Sequence, residues 1–210
     1  MTQSGSLPGA DADALPDGGL TVGAVLLAAG QGTRFESGNK LLADLDGTPL
    51  VRHAAEALQA TDLAGPVVVL GHEASAVRDA LSGLDLSFVV NEEYAAGQST
   101  SVAAGVAAAQ DRDWDAALFA LGDMPAVAVS TIDRLVSTYR EGDASVVAPA
   151  YEGTRGNPVL FGARHFDALA DVSGDRGGRD LVEEYGTLVS IDDPGVRRDV
   201  DRREDLESVR

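Results

Sequence analysis

The sequence predicts an α/β fold in which a doubly wound, mostly parallel sheet forms the middle of three layers, with helices on both faces. Three observations lead there. Short runs rich in Val and Leu recur along the chain and are almost continuously apolar, as strands buried on both faces must be. Segments of helical period lie between them, so strand and helix alternate. The chain has 210 residues, 44% of them hydrophobic, enough for one well-packed core and too few for two large domains.

Taken in order, strands are expected at Val22–Ala28, Pro66–Leu70, Leu86–Val90, Ala116–Ala120, Ser145–Ala148, Pro158–Phe161 and Leu188–Ile191. Helices are expected at Pro49–Ala60, Ala74–Leu81, Ser99–Ala109, Ser130–Tyr139 and Gly178–Tyr185, the first capped by Thr48 with Pro49 in its opening turn. Residues 1–19 hold Gly, Pro, Ser and Asp without apolar periodicity. Such a segment cannot offset its ordering entropy, so a disordered acidic tail is expected there and a folded domain over residues 20–210. In a sheet of this kind ligands sit beyond the carboxyl ends of the strands, which points the search for function at the post-strand loops.

Charge and composition remove several classes of function. With 34 acidic residues against 16 basic ones the formal charge is -18, a field that repels nucleic acid and anionic membranes alike. The acids (Asp11, Asp44, Glu92, Asp113, Asp133, Asp167, Asp193 and Asp205 among them) are spread along the chain and read as a solvated surface. Fifteen of the basic residues are Arg and only one is Lys. That bias reads as adaptation to high salt, where the Debye length falls to about 3 Å at 1 M. In a chain that otherwise avoids Lys, the single Lys40 is expected to do something Arg cannot. There is no Cys, hence no disulfide, thiolate ligand or thiol nucleophile. The longest apolar stretch, Val22–Ala29, is far short of the roughly 20 residues of a membrane span. The N-terminal residues lack the pattern of an export signal, and a cytoplasmic location is expected.

The most informative segment runs from the first strand into Ala29-Gly30-Gln31-Gly32-Thr33-Arg34-Phe35, with Asn39-Lys40 close behind. Gly30 and Gly32 let the backbone approach a ligand so that N–H groups meet phosphate oxygens, and Arg34 and Lys40 add cations. The plain alternative is a turn that merely joins two elements. A Walker loop would need Gly-Lys-Ser/Thr after the second Gly, and a dinucleotide fingerprint a third Gly where Phe35 stands, so neither a kinase nor a dehydrogenase fits.

The run Leu27 to Phe35 with Lys40 resembles the signature of nucleotidyltransferases. Gly122-Asp123-Met124-Pro125, Gly156-Asn157-Pro158-Val159-Leu160-Phe161, Gly174-Asp175-Arg176-Gly177-Gly178-Arg179 and Asp199-Val200-Asp201 before Glu204-Asp205-Leu206 follow in order. Over residues 22–207 the set resembles the molybdenum cofactor cytidylyltransferase and guanylyltransferase group. The resemblance implies a Rossmann-like nucleotidyltransferase fold and transfer of CMP from CTP to a phosphorylated acceptor, of the molybdopterin type, with release of pyrophosphate.

It also implies roles. Lys40 and Arg34 would be catalytic, and Leu27, Ala28, Ala29, Gly30, Gln31, Gly32 and Thr33 would hold the nucleotide. Asp123 follows an apolar strand and faces the ligand crevice, where it would hold Mg2+; a turn Asp beside Pro125 is the alternative. Asp199 and Asp201, two apart on an extended segment, share one face, and the resemblance favours Asp201 as second ligand. The alternative for that pair is a surface acid cluster among Arg197, Arg198, Arg202 and Arg203. Gln98 and Ser101 either cap a helix or reach a base edge; the resemblance implies base reading by Ser101 with Gln98 beside it. Ala29 stands where guanylyltransferases of the group usually have Gly, which favours CTP, although uridylyl enzymes also carry Ala. Asn157, Asp175 and Arg179 would face the acceptor; many cytidylyl relatives have His in place of Asn157, and Arg179 has the alternative of pairing with a neighbouring Asp. A molybdoenzyme would receive the product. The rival expectations are GTP in place of CTP, a sugar or metabolite phosphate as acceptor, and a cofactor carrier without turnover. His53, His72 and His165 lack metal-ligand spacing and are expected to be structural, and Trp114 to serve packing.

Overall fold

Strand β1 (Val22–Ala28) sets the plan of the molecule. Its side chains alternate, Val22, Ala24, Leu26 and Ala28 entering one core and Val25 the other, which is possible only for a strand covered on both faces. The structure is a computed structural model that describes residues 19–32, 35, 38–171 and 178–209. After β1 come the short strands β2 (Asp44–Leu45) and β3 (Thr48–Pro49), helix α1 (Leu50–Gln59), β4 (Ala64–Leu70), α2 (Ala74–Ala80) and β5 (Ser87–Val90). Then follow α3 (Gln98–Gln110), β6 (Ala116–Leu121), α4 (Val129–Arg140), β7 (Val146–Tyr151), β8 (Thr154–Arg155) and β9 (Val159–Gly162). Helices α5 (Phe166–Ala170) and α6 (Arg179–Tyr185) lead to β10 (Gly186–Ser190).

The sheet order is β10-β7-β9-β6-β1-β4-β5, with β8 paired to β7. Strands β6, β1, β4 and β5 run parallel, as do β7 and β10. Only β9 opposes its neighbours β6 and β7 on this path. Helices α1, α2 and α4 cover one face, and α3, α5 and α6 the other, giving the three layers that the alternation predicts. Trp114 packs against Gly23, and His53 and His165 hold backbone or side-chain oxygens of Leu45 and Ser145, so all three serve structure. Among the described residues no helix is long and apolar enough to cross a membrane.

Three local expectations need correction. Thr48 does not cap α1: it pairs with Leu45 in the β2–β3 hairpin, and Pro49, extended at ψ 138°, occupies the N-cap position without a side-chain bond. The hairpin turns on Asp46 and Gly47, with φ of 55° and 86°, the pair of left-handed positions that a two-residue turn matching strand twist demands. Helix α5 was not anticipated; its Phe166 and Leu169 fill the second core. Asp193 is not a solvated surface acid. It is 8% exposed and accepts from the Ala128 N–H (3.0 Å), the Thr131 hydroxyl (2.7 Å) and the Gly195 N–H (2.8 Å), so it caps the start of α4 from a distance in sequence.

Candidate active site

The site begins where β1 ends. Leu27 and Ala29 face an open cleft of about 560 Å3, while the Ala28 side chain between them is buried in the core. Gly30, Gln31 and Gly32 continue along the cleft. Gly32 has φ +57°, and a Cβ there would stand 3.1 Å from Cγ of Lys40. The position therefore calls for Gly twice over, for its backbone and for the lysine stem beside it. Asn39 accepts the Leu41 N–H at 3.0 Å and so opens a 3-10 turn, Lys40–Leu42, that aims Lys40 into the cleft.

Asp123 lies just past β6, held in place by the Gly122 N–H bond to the Leu27 carbonyl at 3.0 Å. The C-terminal segment then brings its own acids across. It is anchored by Asp193 at α4 and by Val200, Leu206 and Val209, which pack on Phe35, Leu45 and Leu50. Between these anchors the Val200 N–H donates to the Asp123 carbonyl at 2.9 Å. Asp205 accepts the N–H groups of Asp201 (3.0 Å) and Arg202 (2.7 Å), fixing the turn that carries Asp201. As a result one carboxylate oxygen from each of Asp123, Asp199 and Asp201 lies within 4.8 Å of the others.

Lys40 supplies a counter-charge. It is 9% exposed, and its Nζ donates to Asp123 Oδ2 at 2.6 Å and to Asp201 Oδ1 at 2.7 Å. Burial alone would lower its pKa, but the two carboxylates, Asp123 foremost, outweigh burial and raise it, so Lys40 stays cationic. Burial raises the Asp123 pKa, and Asp199 adds to the rise while Lys40 opposes it. Among the described residues the cluster gathers three carboxylates against one ammonium, an acidic excess that a divalent cation offsets. An all-oxygen carboxylate set suits a hard ion such as Mg2+ or Mn2+.

The MobA-like NTP transferase domain matches residues 24–189. The chain belongs to this family. Nicotine blue oxidoreductase of Paenarthrobacter nicotinovorans is 35% identical over 191 residues, which is 87% of this chain and 93% of that protein. Among solved structures, a nucleotidyl transferase from Methanothermobacter thermautotroptrophicus superposes with a TM-score of 0.78 at 27% identity, over 90% of this chain and 96% of the other. Rv0371c from Mycobacterium tuberculosis H37Rv has a TM-score of 0.80 at 26% identity, over 90% and 97% of the two chains. That protein has also been crystallised in complex with manganese.

The opposite wall of the cleft in this MobA-like domain is the start of α3. Gln98 and Ser101 line it, together with Tyr94 and Ala95. A Cβ at Gly71 would come within 2.8 Å of both Tyr94 and Ala29, so glycine there lets Tyr94 settle against the end of β1. An adjoining pocket of about 290 Å3 shares Leu27, Gln98 and Leu121 with the cleft. Its polar rim is Asn157, Arg179 and Arg155, over an apolar base that includes Phe119 and Phe161. Burial lowers the Arg155 pKa and the nearby Arg179 lowers it further, against the pull of Glu183. Thr33, Arg34 and Asp175 lie outside the described residues. Asn91, Tyr94 and Arg155 were not singled out in the sequence. Asn91 directly follows β5, and the rule that post-strand positions face the ligand crevice reaches it; Arg155 sits in a two-residue strand with no such signal.

Proposed function

We propose that this MobA-like domain transfers CMP from CTP to a phosphorylated acceptor of the molybdopterin type and releases pyrophosphate, with Mg2+ as its metal. The observation that carries the reading is Lys40, held between Asp123 and Asp201 beside the Gly30 to Gly32 backbone, in the same cleft as Gln98 and Ser101. In the reaction an oxygen of the acceptor phosphate forms a bond to the α-phosphorus of CTP. The bond from that phosphorus to the β-bridging oxygen breaks, and its electron pair leaves with pyrophosphate. An anionic acceptor needs no general base, so the work of the protein is positioning and charge stabilisation. Lys40 stabilises negative charge at the transferring phosphate, and Arg34 at the leaving phosphates. The backbone N–H groups of Gly30 to Thr33 orient the triphosphate, flanked by Leu27, with Ala28 supporting from the core. Asp123, Asp201 and Asp199 would hold Mg2+, which when bound neutralises triphosphate charge and orients the leaving group. Asn157, Arg179 and Asp175 would receive the acceptor. Ala29 supports CTP over GTP. The charge of -18 with a single Lys supports a working medium of high salt, and a nucleoside triphosphate substrate supports a cytoplasmic location, where a molybdoenzyme would take the product.

A second reading rests on the relative from Paenarthrobacter nicotinovorans, which is named an oxidoreductase and matches nearly end to end. One experiment separates the readings. The protein is incubated in concentrated KCl with Mg2+, molybdopterin and each of CTP, GTP, UTP and ATP, and in parallel with NADH and an electron acceptor. Pyrophosphate and a CMP-bearing acceptor from CTP are expected. Pyrophosphate from GTP would move the assignment to guanylyl transfer, and pyrophosphate released from a nucleoside triphosphate only when a sugar phosphate replaces molybdopterin would move it to that acceptor class. NADH oxidation without pyrophosphate would favour the redox reading, and cofactor binding without either reaction a carrier.

A further inference from the structure

Asn91 stands at the end of β5, 7% exposed, with both ends of its amide engaged. Its Oδ1 accepts the Glu93 N–H at 2.9 Å, which fixes the orientation of the group. Nδ2 therefore faces α3 and donates to Thr100 Oγ1 at 2.8 Å and to Ser101 Oγ at 3.0 Å. A hydroxyl that accepts still has one proton to give. Thr100 directs its proton at the carbonyls of Gly97 (2.9 Å) and Glu93 (3.1 Å). Ser101, 5% exposed and lining the cleft, has no acceptor for its proton among the described residues. The two neighbouring hydroxyls thus share a donor and differ in where they point: one is spent on the backbone, the other is left for what enters the cleft.

We infer that Asn91 is a positioning residue that occupies one lone pair of Ser101 Oγ and so aims the serine proton, as a hydrogen-bond donor, at the base of the bound nucleotide. With that proton free, this corner of the cleft offers a donor to a carbonyl oxygen or an unprotonated ring nitrogen of the base. The inference rests on the nucleotide reading above and adds to it a polarity. An Asn91→Asp exchange keeps the size and still accepts the Glu93 N–H, but the new carboxylate oxygen accepts the Ser101 proton. The serine then has no proton left for the base and can only accept, whereas the wild type donates.

The test is a titration of wild type, Asn91→Asp, Ser101→Ala and the double variant with CTP, GTP, UTP, ATP and inorganic tripolyphosphate, each with Mg2+. The quantity read is the ratio of nucleotide to tripolyphosphate affinity, which cancels the added negative charge and any general loosening of the site. In Asn91→Asp and in Ser101→Ala that ratio is expected to fall about tenfold or more for the preferred nucleotide, the usual consequence of leaving a buried polar group mispaired. In the double variant the ratio should equal that of Ser101→Ala, because Asn91 acts through Ser101. A ratio unchanged in Asn91→Asp, or a further loss in the double variant, overturns the inference while leaving nucleotide binding intact. A wild-type protein that binds none of the four nucleotides overturns the nucleotide reading and this inference together.

Discussion

Replacing Lys40 with Met removes the ammonium and keeps the stem that packs beside Gly32. Two carboxylate oxygens, 2.6 and 2.7 Å from Nζ, then lose the Lys40 ammonium, one of them on a side chain only 18% exposed. Removing one partner of a well-buried pair costs about 3–5 kcal/mol. Asp201 is 36% exposed and can turn to water, which brings the expected loss for the metal-free protein down to about 2 kcal/mol. For a domain of this length that is a fall in Tm of about 4–8 °C. Because Lys40 and a divalent ion draw on the same carboxylates, Mg2+ or Mn2+ should stabilise Lys40→Met more than it stabilises the wild type. Turnover, by contrast, should not return with metal: loss of a cation at the transferring phosphate is worth about 10²–10³ in kcat. Thermal unfolding across a metal titration and pyrophosphate release measure the two halves. Turnover within tenfold of wild type, or equal metal stabilisation of the two proteins, would refute the reasoning.

Four further outcomes follow from the same geometry. Asp205→Ala deprives the N–H groups of Asp201 and Arg202 of their acceptor; it should cost about 1 kcal/mol in urea unfolding and raise the metal concentration needed for half-maximal rate. Arg155→Met removes a desolvated charge beside Arg179, so the free protein should melt higher while KM for the acceptor rises and KM for the nucleotide stays put. Burial, and after it Arg164, lowers the His165 pKa, so the unfolded chain takes up that proton first as pH falls below about 6.5. Stability from this group is present above that pH and lost through the window beneath it, and His165→Gln should flatten the corresponding slope of Tm against pH. With a charge of -18, Tm of the wild type should climb as KCl is raised from dilute buffer to molar concentration; a Tm that is flat or falls with salt would contradict the reading of the Lys-poor composition.

Much of this architecture was legible because burial on two faces leaves a plain mark. Val22–Ala28 stands in the structure with the ends the apolar run predicts, and each of the seven expected strands has a counterpart displaced by no more than a few residues. Apolar runs do not carry the rest. The antiparallel sense of β9 depends on how the chain returns from β8, not on the Val-Leu-Phe content of β9 itself. The β2–β3 hairpin has a signal, Asp46-Gly47 between Leu45 and Thr48, but Thr48 before Pro49 carries the competing signature of a helix start. For the site, spacing alone linked Asp199 to Asp201, yet nothing local joined that pair to Asp123. The join is made by the remote anchors of the C-terminal segment, Asp193 on α4 and Val200 and Leu206 in a small core of their own, which no periodicity announces. Lys40 was legible for a compositional reason, being the single Lys of the chain, and the structure sets it between two of the three acids.

The most direct measurement of the central claim is the yield of pyrophosphate and of CMP-bearing acceptor, by mass spectrometry, from CTP, Mg2+ and molybdopterin in concentrated KCl. The account predicts the two products in equal amounts, with both lost in Lys40→Met. No pyrophosphate from any of the four nucleoside triphosphates, by a protein that remains folded in that medium, would contradict it.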